Sequence, residues 1–216
     1  MQGLSVAGRD PGLPPPEIQV YLLGPPRVEW HSKPLAIPRS QARALLYRLA
    51  TEPRPIPRET LCFLFWPDTS EGTARGNLSR LVSMLHHALP LPEALVTAQD
   101  QIGLDRQLVQ SDAHFFRQLR DDWKTTGDIA SLRYAADLFD GPFLAGFSLP
   151  SSREFETWAA MEREYWNRMI LEVLTALVED QATKREVASS SSISIVVGAV
   201  APCTVAIFVS KRAAAA

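Results

Sequence analysis

The sequence predicts an α+β amino-terminal region, with a small antiparallel sheet, three helices and a β-hairpin, followed by an all-α region. Three observations predict it. Alternating apolar residues come first; three helix-period stripes separated by proline-rich breaks follow; a strand–turn–strand pattern then precedes a wholly helical stretch.

Ile18, Val20 and Leu22 alternate with Gln19 and Tyr21, as in a strand with one buried face. Gly24-Pro25-Pro26 breaks the chain, and Val28, Trp30, Leu35 and Ile37 suggest further short strands. Ser40 is expected to cap a first helix whose stripe is Ala42, Leu45, Leu46 and Leu49. Pro53, Pro55 and Pro57 forbid its continuation, so Glu52 to Pro57 reads as a turn. A second helix from about Arg58 buries Leu61, Leu64 and Phe65 and stops at Trp66-Pro67.

The third helix, over residues 73–89, buries Leu78, Leu81, Val82, Leu85 and Leu89. Its other face carries Ser79, Arg80, Ser83, His86 and His87 and no acid. Leu95 to Ala98 and Ile102 to Leu104 then read as strands, with Leu108-Val109 after an Asp105-Arg106 turn, so residues 102–109 are taken as a hairpin. Asp112 would cap a short helix with Phe115, Phe116 and Leu119. Three helices followed by a hairpin are the order of a winged helix, and a helix face without acids suits a DNA major groove.

Residues 121–127 are polar enough for a linker, and helices follow. Ile129, Leu132, Ala136 and Phe139 form one stripe, ended by Gly141-Pro142. Ser151 and Glu154 are spaced as a capping box for a helix burying Phe155, Trp158, Trp166, Met169, Val173 and Leu177, with Lys184-Arg185 at its end. Its aromatics are read as core rather than as a ligand groove. The expected organisation is a flexible leader over 1–16, a winged-helix domain over 17–120, a partial helical domain over 121–186 and an atypical tail over 187–216.

Composition narrows the function. The formal net charge is −2, which excludes a non-specific polycation. Residues 17–120 carry 12 basic and 10 acidic side chains, whereas 121–190 carry 7 and 13, which fits a nucleic-acid reader joined to an interaction module. Two distant cysteines, Cys62 and Cys203, imply no disulfide framework and suit a reducing cytoplasm. A Gly-rich phosphate loop, a His-Glu-x-x-His pair and a Cys-x-x-Cys pair are all missing, and Gly146-Phe147-Ser148-Leu149-Pro150 only grazes a nucleophile elbow. No enzyme, cofactor or metal site is expected. His86 and His87, about 100° apart on a helix, do not converge on a metal.

Several stretches resemble, in order, the transcriptional activators of the antibiotic-regulatory-protein type. They are Leu22-Leu23-Gly24-Pro25, Pro38-Arg39 through Ala44-Leu45-Leu46, Phe65-Trp66-Pro67-Asp68 and Ala74-Arg75-Gly76-Asn77-Leu78. In the second half Gly141-Pro142-Phe143-Leu144-Ala145-Gly146-Phe147 and Phe155-Glu156-Thr157-Trp158 continue the set. That family joins an OmpR-like winged helix-turn-helix to a helical bacterial transcriptional activator domain of tetratricopeptide-like helix pairs. The resemblance implies a cytoplasmic bacterial activator that binds double-stranded DNA, with helix 73–89 in the major groove and hairpin 102–109 as the wing. It also implies a loop of Pro67, Asp68, Thr69, Ser70 and Glu71 facing RNA polymerase, and a homodimer formed through the helical domain.

Arg75 and Arg80 are the strongest DNA candidates, because guanidinium pairs with phosphate or guanine edges. Asn77 suits either a base or the helix start. Ser79, Ser83 and His87 share the outward face, while Arg39, Arg43 and Arg106 would position the DNA backbone. At Ser79, Met84, His86 and His87 relatives often carry arginine, so reduced affinity is expected. The competing reading is a protein-interaction module on a winged-helix scaffold that binds DNA weakly or not at all.

From Val187 the resemblance stops. Ser189 to Ser192 lead into the apolar run 193–209, borderline for a membrane span of about 20 residues and interrupted by Pro202. A membrane anchor, a packed strand-like segment and a truncated or frame-shifted end compete there, with the last preferred.

Overall fold

The computed structural model describes residues 17–98 and 100–193. The expected leader over 1–16 and the apolar run beyond Ile193 lie outside them. Among the described residues, those up to Val178 form one compact unit and those from Glu179 a second.

The first unit opens with β1 (Ile18–Tyr21), β2 (Arg27–Trp30) and β3 (Lys33–Pro34). β1 and β2 pair antiparallel, with Ile18 opposite Trp30 and Val20 opposite Val28. A two-residue turn joins β2 to β3, and its residues His31 (φ 47°) and Ser32 (φ 62°) both adopt left-handed backbone, the conformation tight hairpins require. Leu35 and Ile37, expected in strands, lie in the following irregular segment, where Ile37 is nonetheless buried.

Helix α1 (Ser40–Thr51) begins one residue after Arg39, so Ser40 is its first turn and not its cap. Residues 52–55 form the proline break; Ile56–Pro57 is then a short strand, β4. α2 (Arg58–Phe65) and α3 (Glu71–Ala88) follow, burying the apolar residues expected of them. Cys62 is a buried free thiol, and burial raises its pKa.

The hairpin differs from the expectation. β5 (Leu95–Ala98) pairs antiparallel with β6 (Gln101–Leu104), so the reversal lies at Ala98–Gln101 and not at Asp105-Arg106. β4 adds to the other edge of β6 through Ile56 opposite Ile102. β7 (Val109–Ser111) leaves that sheet and joins β1 in parallel. Two sheets result, ordered β3-β2-β1-β7 and β4-β6-β5. The reason is burial: Val109 and Ser111 turn inward beside Ile18 and Val20, which a continued hairpin would leave in water.

α4 (Asp112–Thr126) runs straight through the stretch expected to be a linker, so the 120/121 boundary falls inside a helix. Its cap is Ser111, whose side chain accepts the His114 N–H, and it ends on Gly127 in the left-handed conformation. Asp128 caps α5 (Ile129–Asp137). α6 (Arg153–Ile193) is capped by Ser152 rather than Ser151: Oγ accepts the Phe155 N–H at 3.1 Å and donates to the Leu64 carbonyl at 2.6 Å. Glu156, not Glu154, closes this end by accepting the Leu149 N–H. α6 also continues past Lys184-Arg185, so they do not mark its end.

Sheet and helices share one core. Trp166 of α6 is fully buried between Phe116 and Phe143, with ring centroids 5.7 and 6.1 Å away. Phe65 of α2 stacks on Phe155 of α6 at 5.9 Å. The aromatics of α6 are thus core, as expected. Backbone groups complete the joint: the carbonyls of Leu22, Leu23 and Gly24 accept N–H groups from Leu144, Asp140 and Ala145 at 2.8–2.9 Å. Gly24 is required here, because its φ is 147° and a Cβ would lie 3.1 Å from that of Asp140. On the other side the N–H groups of Leu22 and Leu23 donate to the buried carboxylate of Asp112. Burial pushes that carboxyl up to about 6, against the lowering effect of its backbone hydrogen bonds. None of the helices among the described residues is long and apolar enough to cross a membrane.

Candidate nucleic-acid interface

α3 is amphipathic for a simple reason. Ala74, Leu78, Leu81, Val82 and Leu85 recur at three- and four-residue spacing and all are buried. That places Gly76, Ser79, Arg80, Ser83, His86 and His87 on the solvent side, where all are exposed. The helix starts at Glu71, so Glu71 belongs to its first turn and not to the preceding loop; Pro67, Asp68, Thr69 and Ser70 form that loop.

Arg80 projects from the exposed face, its Nη1 3.4 Å from Asn77 Oδ1. Asn77 is half-buried and, with Gln41, Trp66 and Met84, lines a shallow cleft of about 220 Å³ beside it. Met84 is shared with a second cleft of about 410 Å³ between the start of α1 and the end of α3, where Arg39, Ser83 and His87 form the polar lining. His87 Nδ1 lies 2.6 Å from the Ser83 carbonyl, which fixes Nδ1 as the donor and leaves Nε2 for another partner.

At the amino-terminal half of α3 the surface is not free of acids, as the helix face was expected to be. Arg75 Nε lies 3.0 Å from Glu71 and its Nη1 3.2 Å from Asp100 in the hairpin turn. Both carboxylates raise the guanidinium pKa, the Glu71 hydrogen bond most. Ser79 Oγ donates to the Arg75 carbonyl at 2.9 Å and receives Nη1 of Arg58 at 3.5 Å. Arg58 and Asp100 were not among the expected site residues, and Glu71 was expected in the polymerase-facing loop rather than beside Arg75. The Glu71–Arg75 pair was legible as an i, i+4 spacing; Arg58 and Asp100 reach the site only through the tertiary fold.

Two of the expected DNA-positioning arginines serve the fold. Arg106 is not at the hairpin tip: it donates to the carbonyls of Leu49 and Ala50 at 3.1 and 3.5 Å, closing the end of α1. Burial lowers its pKa, with the charge of Arg117 adding to the effect. Arg117 completes the same task on the Thr51 carbonyl at 2.6 Å. Arg43 donates to the Ile37 and Pro38 carbonyls at 2.9 and 3.3 Å, with its guanidinium 5.8 Å from the Phe147 ring. Arg39 remains exposed. No group of metal-ligating side chains converges among the described residues.

No protein-family model and no curated protein matches the sequence. A solved structure of Mycobacterium tuberculosis EmbR in complex with a low-affinity phosphopeptide shares the fold, with a TM-score of 0.56 at 19% identity. The match covers 82% of this chain and 50% of that one. This chain therefore spans about half the length of the protein it resembles. What the two share is an α+β arrangement in which a small sheet and three helices precede a helical region.

Proposed function

We propose that the chain is a DNA-binding transcriptional regulator of the antibiotic-regulatory-protein type, with α3 as the recognition helix and the β5–β6 hairpin as the wing. One observation carries this reading: a fully buried apolar stripe on α3 opposite a continuous exposed face of Arg80, Ser79, Ser83 and His87. A helix held so firmly on one side presents the other as a rigid unit to a groove. Arg80 is assigned to base or phosphate contact. Asn77, beneath it, orients that guanidinium. Ser79, Ser83 and His87 supply hydrogen bonds, and Arg39 a backbone contact. The fold shared with EmbR supports the assignment.

The loop Pro67 to Ser70 then becomes the surface turned towards RNA polymerase in an activator. The exposed Leu171, Leu174 and Val178 of α6 offer an apolar stripe for a homodimer. Fluorescence anisotropy with labelled duplex DNA tests the central assignment. Binding is expected at low ionic strength, weakening linearly in log–log form with salt. Arg80→Ala is expected to reduce it several-fold. Absence of a salt-dependent signal at low ionic strength sinks the reading. A second reading, an interaction module without DNA binding, is favoured by the ion pairs that engage Arg75, and that same result would support it.

A further inference from the structure

The reading of α3 as a DNA-recognition helix leaves two carboxylates unexplained. Glu71 and Asp100 approach one guanidinium from two different elements. Around them meet the start of α2, with Arg58, the amino-terminal half of α3, with Arg75 and Ser79, and the turn of the β5–β6 hairpin. A phosphate strand passing between a recognition helix and its wing would cross this junction. The four charged side chains there sum to zero.

We infer that Glu71 and Asp100 act as an electrostatic brake on duplex binding, holding Arg75 in ion pairs that a phosphate must displace and thereby setting a low affinity. The inference rests on the DNA-binding reading.

The pairs are open to water: Arg75 is 45% exposed, Glu71 78% and Asp100 57%. Exposed pairs of this kind are individually weak, so a phosphate can displace them. What makes Asp100 persistent is its backbone. The Asp100 carbonyl accepts the Arg58 N–H at 2.8 Å, and the neighbouring Gln101 pairs with Pro57 in the sheet. Gly103 also packs against Pro55, where an added Cβ would lie 3.0 Å from the proline ring. The backbone of Asp100 is thus placed by main-chain contacts, which keep its carboxylate within reach of Arg75 when the ion pair opens. A bound phosphate would therefore meet both carboxylates even after taking the guanidinium. Arg58, next to Ser79, becomes the second phosphate ligand of the same junction.

The experiment uses the full chain and a fluorescein-labelled random-sequence duplex, followed by anisotropy across a sodium chloride series. Glu71→Gln and Asp100→Asn keep shape and remove charge. Each is expected to tighten binding about threefold at low salt, and the double variant about tenfold, with a steeper salt slope. Adding Arg75→Ala to the double variant should return affinity to the wild-type level or below. Circular dichroism checks that every variant keeps the native helix content. Wild-type or weaker binding by the double variant, while Arg80→Ala still weakens binding, overturns the brake and leaves the DNA reading standing. Lack of binding by wild type and double variant alike overturns both.

Discussion

The joint between sheet and helices and the exposed face of α3 use the same residue types in opposite ways. At the joint, Asp112 and Ser152 bind main-chain groups in places closed to water, and the half-buried Arg106 and Arg117 bind the carbonyls at the end of α1. On α3, Arg75 and Arg80 meet other side chains in the open. An unmatched group at the joint cannot turn to solvent and costs its full desolvation; one on α3 can. Substitutions at the joint should therefore change stability, and those on α3 binding.

Trp166→Ala should have the largest effect. It removes a fully buried ring from between Phe116 and Phe143 and is expected to lower stability by about 3–5 kcal/mol. Urea unfolding followed by circular dichroism and fluorescence should still show one transition for residues 17–178. Two separate transitions in the wild type would break the comparison, since sheet and helices would then be independent.

Asp112→Ala leaves the N–H groups of Leu22, Leu23 and Ala113 without their acceptor, for a loss of about 2–3 kcal/mol in the same assay. The pH dependence sharpens this. With its pKa raised to about 6, folded Asp112 holds its proton more tightly than the unfolded chain does. Its contribution is therefore full below about pH 4, declines as the pH rises towards about 6 and is level above. The urea midpoint of the wild type, relative to Asp112→Asn, should fall across that window. A difference independent of pH would remove the buried carboxylate from the account.

Ser152→Ala should cost about 1–2 kcal/mol, because one hydroxyl both caps α6 and binds the Leu64 carbonyl. Ser151→Ala, one residue away and exposed, should be close to neutral. Equal losses would mean that the cap is misassigned. Arg80→Ala marks the other end of the scale: a change in unfolding free energy within about 0.5 kcal/mol alongside weaker DNA binding. A large loss of stability there would make Arg80 a structural arginine like Arg106.

Much of the α3 face was legible because helical period alone decides it. Once Leu78, Leu81, Val82 and Leu85 point inward, Ser79, Arg80, Ser83 and His87 have nowhere to go but out. The hairpin was legible as strands but not as pairings. Asp105-Arg106 has the chemistry of a turn, and only the burial of Val109 and Ser111 against β1 shows that it joins two sheets instead. The cap of α6 shifted by one residue for a similar reason: Ser151 and Ser152 are equivalent along the chain, but only Ser152 reaches Leu64.

By itself the sequence determined the order of the three amino-terminal helices and the strand pair after them, the inward stripe of those helices and the outward face of α3, all of which follow from periodicity and proline breaks. Only the tertiary structure decided which arginines are available. Arg106 and Arg43 found carbonyls, Arg75 found Glu71 and Asp100, and Arg80 remained on the open face. Periodicity fixes the direction of a side chain from its own element, but its partners come from other elements, brought near by packing.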